Sequence, residues 1–451
     1  MERYMELKGK YPHFVYQDYD YTVRDHKLEG RCTYVLQDES GESAFEFFTL
    51  FAIEFIGGEV SADADLDALV FNLGLVEAIS YWKLTCAPQF TIKCGGLSDE
   101  QKDWWRKLFQ KGLSEFFYLN NITDWEGSQL QFTTTAEHKT APAPRKYTEE
   151  KVLVPIGGGK DSISSVEILK GNIEIVPVVM NPIKASTDFM AYEGLDKYVK
   201  ITRKLDPLII KLNADGFLNG HIPFSAVLSF YTMIAARMYG MKYIALSNES
   251  SANEPTILGT DINHQYSKSL EYELDINAYA TDYLDADIRY FSLLRPFNEY
   301  QITKIFAGVN NTVLDIFRSC NKGSKKGIWC IKCPKCLFTY IMIHAHLPLS
   351  KMIEIYGNDL LEDKDLEGYF LSLTGQRTEK PFECVGTVEE VNAALQVIKQ
   401  KRKNSLPHLF TLWDSSLVER NAEELLKEVS PSNHEPFFAE LIKQKTKDLI
   451  N

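Results

Sequence analysis

The stretch GGGKDS at residues 157–162 combines three glycines with a cation, an acid and a hydroxyl. It follows the apolar run VLVPI and opens a helix-like pattern, so it lies where a strand turns into a helix. Glycine lets the backbone approach a phosphate, and N–H groups at a helix N-terminus form an anion site. The stretch predicts a phosphate site made by Gly157, Gly158, Gly159, Lys160, Asp161 and Ser162, with Mg²⁺ held by Asp161. The alternative is a glycine-rich turn that only packs helix on strand.

The spacing of this stretch matches neither the Walker A loop nor the dinucleotide-binding G-x-G-x-x-G. It resembles the S-G-G-x-D-S loop of the PP-loop ATP pyrophosphatases, whose members cleave ATP between the α- and β-phosphates. The resemblance implies that ATP binds here. Gly157 stands where that family usually has serine, which removes one hydroxyl from the phosphate cradle.

A group of cysteines has the spacing of a metal site. GIWCIKCPKCLF at residues 327–338 places Cys330, Cys333 and Cys336 in a C-x2-C-x2-C pattern, and Cys320 lies ten residues upstream. Four thiolates suit a closed, structural Zn²⁺ site, and disulfides are not expected in a cytosolic chain. An iron–sulfur cluster and free thiols are the alternatives. The arrangement resembles that of 7-cyano-7-deazaguanine synthase, another PP-loop enzyme.

A third stretch, SNESSANEPT at 247–256, follows the predicted strand KYIAL, and NHQYSKSLEYE follows at 263–273. Polar side chains at the carboxyl end of a strand are placed to hold substrate or Mg²⁺. Asn248 and Glu249 lie at that end, and His264 is a further candidate for contact with a carboxylate or a phosphate. A solvated loop with helix caps, and a structural histidine, are the alternatives.

The elements that position these residues predict an α/β fold with a doubly wound parallel sheet. Between 150 and 345, strands at 152–156, 174–180, 207–212 and 242–247 alternate with helices at 161–170, near 190–204 and at 223–240. A linker at 133–150 separates this domain from an N-terminal α+β domain at 1–140, whose helix from 98 begins with a Ser98/Gln101 capping box. Residues 346–451 are predicted to be mostly helical, with a capping box at Thr387/Glu390.

Composition narrows the range of partners. The 451 residues carry 62 acidic and 49 basic side chains, a formal net charge of -13, which disfavours nucleic acid as a partner. No signal-peptide pattern and no long uncharged apolar stretch is present, so we expect a cytoplasmic chain that does not bind membranes. Composition leaves the oligomeric state open.

Taken together, the stretches GGGKDS, NGHIPFSA, ALSNESSANEP, NHQYSKSLEYE and WCIKCPKCLF resemble, in this order, the UDP-N-acetyl-α-D-muramoyl-L-alanyl-L-glutamate epimerase family. In the N-terminal half, FNLGLVEAISYWKLTCAP at 71–88 and KGLSEFFYLNNI at 111–122 are similar to the same family. The resemblance implies a PP-loop, adenine nucleotide α-hydrolase-like fold. It also implies ATP- and Mg²⁺-dependent inversion of the terminal L-Glu of UDP-MurNAc-L-Ala-L-Glu, with release of AMP and pyrophosphate.

On this hypothesis the glycine loop, with Asn248, binds the nucleotide, and Asp161 takes Mg²⁺. Proton exchange at Cα needs a base and an acid on opposite faces, for which Glu249, Glu254 and His264 are the candidates. Two other functions stay open. One is an ATP-dependent amidating or thiolating PP-loop enzyme, and the other is a non-catalytic nucleotide-binding scaffold.

Overall fold

The computed structural model describes residues 2–58, 65–139, 141–143, 146–257, 259–260, 262–263, 265–403 and 405–450. Within these ranges ten strands form one sheet, in the order β10-β9-β6-β7-β8-β3-β2-β1-β4-β5. The strands are β1 His13–Arg24, β2 Lys27–Gln37, β3 Ser43–Ile56, β4 Gln89–Ile92, β5 Gln131–Thr134, β6 Thr148–Pro155, β7 Glu174–Met180, β8 Tyr198–Leu205, β9 Met241–Leu246 and β10 Arg289–Ser292.

Helices follow most of the strands and fill the C-terminal third of the chain. They are α1 Glu2–Lys10, α2 Asp67–Trp82, α3 Asp99–Gly112, α4 Ser114–Leu119, α5 Lys160–Leu169, α6 Lys184–Glu193, α7 Leu208–Ala214, α8 Phe224–Tyr239, α9 Leu270–Tyr283, α10 Glu299–Ala307, α11 Asn311–Ile316, α12 Pro334–His344, α13 Leu349–Tyr356, α14 Glu367–Leu373, α15 Val388–Arg402, α16 Ala422–Lys427 and α17 Pro436–Ile450. The α/β class and the helical C-terminal part are confirmed. Across the described ranges, no helix is long and apolar enough to span a membrane.

The sheet mixes parallel and antiparallel pairs because its connections differ in length. The first three strands form an antiparallel meander, and β3 also pairs antiparallel with β8. Asp25 and His26 turn β1 into β2 with positive φ angles of 45° and 66°, the conformation that a two-residue hairpin requires. Parallel pairs join β1 with β4, β4 with β5, and β6 with β9, each reached by a crossover.

The chain contacts divide into two compact units, each assembled from three segments. Unit 1 contains Met1–Leu153, Lys197–Ile244 and Glu271–Tyr290. Unit 2 contains Val154–Asp196, Ala245–Leu270 and Phe291–Asn451. The predicted boundaries near 140 and 345 stay predictions.

The core of unit 1 is formed by helix α2, which is buried on nearly every side, against the meander and helix α8. An apolar surface all around a helix is typical of a central core helix. The core also holds an ion pair between Arg203 and Glu77. The guanidinium of Arg203 donates two hydrogen bonds of 2.7 Å to the carboxylate of Glu77, which is fully buried and also accepts from the Tyr231 hydroxyl at 2.9 Å.

In unit 2, helix α5 packs against α10 and α17, and helix α12 packs against α10, α14 and α15. The capping box at Thr387/Glu390 is confirmed at the start of α15. In unit 1 the box at Ser98/Gln101 is likewise confirmed at the start of α3.

The predicted elements between 190 and 212 are wrong. The sequence pattern placed a helix near 190–204 and a strand at 207–212, whereas a strand occupies Tyr198–Leu205 and a helix Leu208–Ala214. Gly194 ends the preceding helix with a left-handed φ of 68°, so that helix closes earlier than predicted. The run YVKITRKL then alternates as a strand does, and Pro207 occupies the N-cap position of the helix that follows.

Candidate functional site

The glycine loop follows β6 and leads into helix α5, as predicted. Gly158 adopts a left-handed φ of 76°, and a Cβ atom there would lie 2.4 Å from the backbone carbon of Ala185. A Cβ atom at Gly159 would lie 2.9 Å from the hydroxyl of Ser319. At Gly157 a Cβ atom would meet nothing within 4 Å, so this position has room for a side chain. Glycine is therefore required at the second position of the loop and is optional at the first.

The segment that precedes Cys320 holds the glycine loop through two hydrogen bonds. The amide of Arg318 donates to the carbonyl of Gly158 at 2.9 Å, and the Ser319 hydroxyl accepts from the amide of Lys160 at 3.1 Å. Gly159 occupies the N-cap, where it offers no capping side chain to the first amides of α5. The Lys160 amide is taken by Ser319, but no side chain caps the next amides, those of Asp161 and Ser162, within the described residues. These amides and the helix dipole favour an anion at this end of the helix.

The side chain of Lys160 points into the protein. It is fully buried, and its ammonium contacts the carboxylates of Asp161 and Glu299. Lys160 was predicted as part of the phosphate cradle. In the structure its charge holds Asp161 in place, and Asp161 keeps 29% of its side chain exposed.

Burial and the charges around the loop shift the pKa values of Asp161 and Glu299 in opposite directions. Burial acts to raise the pKa of Asp161, but the ammonium groups of Lys160, Lys335 and Lys268 outweigh it and hold that pKa below its usual range. Burial, together with the negative charges of Asp161 and Glu249, raises the pKa of Glu299 to about 8, although the ammonium of Lys160 acts to lower it. Asp161 is therefore the ionised, partly exposed member of this pair.

The end of β9 meets the end of β6, because the two strands are parallel neighbours. The Ser292 hydroxyl accepts from the Asn248 amide at 2.5 Å and donates to the Asn248 carbonyl at 2.7 Å, which fixes the backbone just past the strand. The next residue, Glu249, is buried, and its carbonyl accepts from Arg295 at 2.8 Å. Its carboxylate interacts electrostatically with Lys160. The structure thus brings Glu249 to the charge of Lys160 and places Asn248 directly before it, at the end of β9.

One predicted residue, Glu254, stands apart from this cluster. Glu254 forms an ion pair with Lys380. No contact joins Glu254 to Asp161 in the described part of the chain. His264 lies outside the described residues.

Sequence reasoning missed Glu299, Lys335 and Lys380. Glu299 begins α10, far along the chain from the loop that it contacts, so no local pattern points to it. Lys335 carried a signal, because it lies inside the C-x2-C-x2-C motif. Its amide donates to the carboxylate of Glu383 at 3.1 Å, and its ammonium donates to the carbonyl of Cys384.

The four predicted cysteines come together. Their Sγ atoms all lie within 4.8 Å of one another, with Cys336 3.5 Å from Cys333 and 3.7 Å from Cys330. Four sulfurs about 2.3 Å from a zinc ion are about 3.8 Å apart, so the cluster has the dimensions of a tetrahedral zinc site. The Sγ of Cys320 also accepts from the amides of Gly323 at 3.2 Å and Cys330 at 3.4 Å, as a thiolate ligand does.

The chain matches the MurL N-terminal domain over residues 5–293 and the MurL C-terminal domain over residues 316–427. It is 32% identical to the UDP-N-acetyl-alpha-D-muramoyl-L-alanyl-L-glutamate epimerase of Micromonospora sp., over 82% of this chain and 83% of that protein. Proteins of the same name from Salinispora tropica and Xanthomonas oryzae pv. oryzae are 32% and 30% identical, over 75% and 90% of this chain and 74% and 88% of theirs. No solved structure matches the chain significantly.

Proposed function

Since this chain belongs to the MurL family, we propose that it inverts the terminal L-Glu of UDP-MurNAc-L-Ala-L-Glu to D-Glu in a reaction that consumes ATP and requires Mg²⁺. The names of its relatives support the epimerisation and the substrate. The observation that carries the ATP-dependent step is the position of Asp161. It is an ionised, partly exposed carboxylate at the start of a helix that follows a glycine turn.

Adenylation explains why an epimerase would consume ATP. A proton next to a carboxylate is very weakly acidic, because removing it places a second negative charge beside the first. In the proposed reaction an oxygen of the substrate α-carboxylate attacks the α-phosphorus of ATP, and the bond to the β-phosphate breaks to release pyrophosphate. The resulting acyl-adenylate no longer carries the α-carboxylate charge, so its Cα proton can be removed and returned on the other face. Water then releases AMP and the D-Glu product.

The glycine loop and the first amides of α5 would bind the pyrophosphate as its charge develops. Asp161 would hold Mg²⁺, a cation that prefers carboxylate oxygens and that would neutralise phosphate charge. One oxygen of Asp161 fits this role, because Lys160 contacts Oδ1 and Oδ2 accepts no hydrogen bond within the described ranges. Lys160 is a positioning residue, since its buried ammonium fixes Asp161.

The proton transfers at Cα require one base and one acid. Glu249 is the candidate that shares the charge cluster of Asp161. Glu254, paired with Lys380, and His264 are the other candidates. The four cysteines would hold a structural Zn²⁺, because they leave no open coordination position.

The test is incubation with ATP, Mg²⁺ and UDP-MurNAc-L-Ala-L-Glu in D₂O. We expect D-Glu that carries deuterium at Cα, and AMP whose formation depends on the dipeptide. If AMP forms only when ammonia or a sulfur donor is supplied with another acid, the protein is instead an amidating or thiolating enzyme. If no AMP forms with any acid, the ATP-dependent mechanism is wrong.

Asp161→Asn tests the role of the loop within the same assay. The variant removes the charge that Mg²⁺ requires, so we expect loss of AMP formation together with loss of epimerisation. Asp188→Asn is the matched control, since Asp188 forms its ion pair with Lys184, one turn away on α6. Wild-type turnover by Asp161→Asn would contradict the assignment.

A further inference from the structure

A cavity of about 330 Å³ opens in unit 2 between helix α14 and the chain that follows it. Its lining includes Tyr369, Ser372, Arg377, Lys380 and Phe382. The cavity thus offers an aromatic wall, hydroxyl groups and cations. None of its lining residues belongs to the glycine loop or to the cysteine cluster.

One wall of the cavity is joined to the loop that follows β9. The amide of Lys380 donates to the carbonyl of Thr256 at 3.1 Å, and Glu379 pairs with Ile257 in an antiparallel bridge. The ammonium of Lys380 contacts Glu254 in that loop. The cavity therefore lies beside the polar stretch at the end of β9.

The same wall continues toward Asp161. Four residues past Lys380, the carbonyl of Cys384 accepts from Lys335, and Lys268 interacts with Cys384 as well. Both lysines lower the pKa of Asp161. The segment between is bent, because the amide of Glu383 bonds to the carbonyl two residues before it at 2.7 Å. A short, folded segment thus connects the cavity with the lysines around Asp161.

Arg377 is the cation in this cavity whose charge is available to pair with a ligand. Lys380 is already paired, whereas Arg377 is exposed and forms no ion pair with any residue that the structure describes. Its guanidinium lies against Gly368, where a Cβ atom would be 3.5 Å from Nη1. Two acidic residues also line the cavity: Asp365, which pairs at 2.8 Å with Lys332, and Glu379, whose backbone pairs with Ile257. A planar guanidinium is suited to bidentate binding of a carboxylate.

The proposed reaction creates a need for such a cation. The terminal glutamate has two carboxylates, and adenylation of the γ-carboxylate would not acidify the Cα proton. The enzyme must therefore hold the γ-carboxylate away from ATP while the α-carboxylate reacts. We infer that the cavity receives the glutamate side chain and that Arg377 binds its γ-carboxylate, which makes Arg377 a specificity-determining residue. This inference rests on the proposed function.

The experiment compares two substrates that end in L-Glu or in L-Gln and are otherwise the same UDP-MurNAc-L-Ala compound. The rate of AMP formation gives kcat and KM for each substrate with wild type, Arg377→Met and Arg377→Lys. We expect wild type to prefer the glutamate substrate by about 10–100-fold in kcat/KM, the range of a charged hydrogen-bonded contact. Arg377→Met should lose most of that preference with an unchanged KM for ATP, and Arg377→Lys should retain part of it.

Lys364→Met is the matched control, because Lys364 is an exposed cation on a neighbouring segment outside the cavity lining. It should keep the wild-type preference. Arg377 is exposed, so thermal melting should show both of its variants folded. An equal loss for the two substrates, or no loss for either, would overturn the inference. If wild type forms no AMP with either substrate, the proposed function falls, and this inference falls with it.

Discussion

The variant Gly158→Ala tests whether the shape of the glycine loop is set by its backbone. Gly158 lies in the left-handed region with φ 76°. A Cβ atom built there would stand 2.4 Å from the carbonyl carbon of Ala185 and 2.6 Å from its oxygen and from the amide nitrogen of Ser186. These atoms belong to the backbone at the start of α6, so no side-chain rotation relieves the contact. Either the loop or that helix must move.

The cost has two parts. An L-residue in the left-handed region costs about 1–2 kcal/mol, and overpacking against a closed wall costs about 1–3 kcal/mol. The sum of about 2–5 kcal/mol is smaller than the total stability of about 5–15 kcal/mol that is typical of proteins. Gly158→Ala should therefore fold, with a Tm lowered by roughly 4–20 °C for a domain of about 150–250 residues.

Gly157→Ala provides the matched control in the same loop. A Cβ atom at Gly157 meets no atom within 4 Å, and its φ lies outside the left-handed region. Its Tm should equal that of wild type or rise by the equivalent of up to about 1 kcal/mol, because alanine restricts the unfolded chain. Thermal melting and AMP formation measure both variants. If the two substitutions lower the Tm equally, or if Gly158→Ala keeps wild-type stability and activity, the backbone at Gly158 does not set the shape of the loop.

Three further predictions concern buried groups. The pKa of Glu299 is about 8 in the folded protein and 4.5 in the unfolded chain, so the stability of wild type falls as pH rises between these values. Thermal melts across this pH range should show the Tm of Glu299→Gln rising relative to that of wild type. Cys336→Ser should lose bound zinc, measured by elemental analysis as about one ion per chain in wild type, while Cys94→Ser keeps it. Glu77→Ala should cost about 3–5 kcal/mol in chemical denaturation, because it leaves the charge of Arg203 buried and unpaired.

The parts of the molecule that the sequence predicts well are those whose cause lies within a few residues. The glycine turn, the capping boxes and the spacing of the cysteines each depend on neighbouring side chains and the local backbone. The strand ends could also be predicted to converge, since parallel neighbours end at one edge of a sheet. This is why the sequence could propose Asn248 and Glu249 as candidates without knowledge of their contacts.

The remaining features depend on residues that are distant in the chain. Lys160 points inward because its ammonium pairs with Glu299. No local sequence pattern near either residue predicts this pair. Between 190 and 212 the apolar residues fit a helix or a strand about equally well over such short runs, and the turn at Gly194 decided the order. Each compact unit draws on three separated segments, which a pass along the sequence does not reveal.

The cysteine cluster and the glycine loop are mechanically connected. Arg318 and Ser319, which hold the loop, immediately precede Cys320, and Lys335, which acts on Asp161, stands between Cys333 and Cys336. A zinc ion that fixes the sulfurs would therefore also fix the back of the loop and the cation beside Asp161. This predicts that a chelator which removes the metal lowers AMP formation in proportion to the zinc lost, before the protein unfolds. Full activity in metal-free, folded protein would show that the cluster contributes to stability alone.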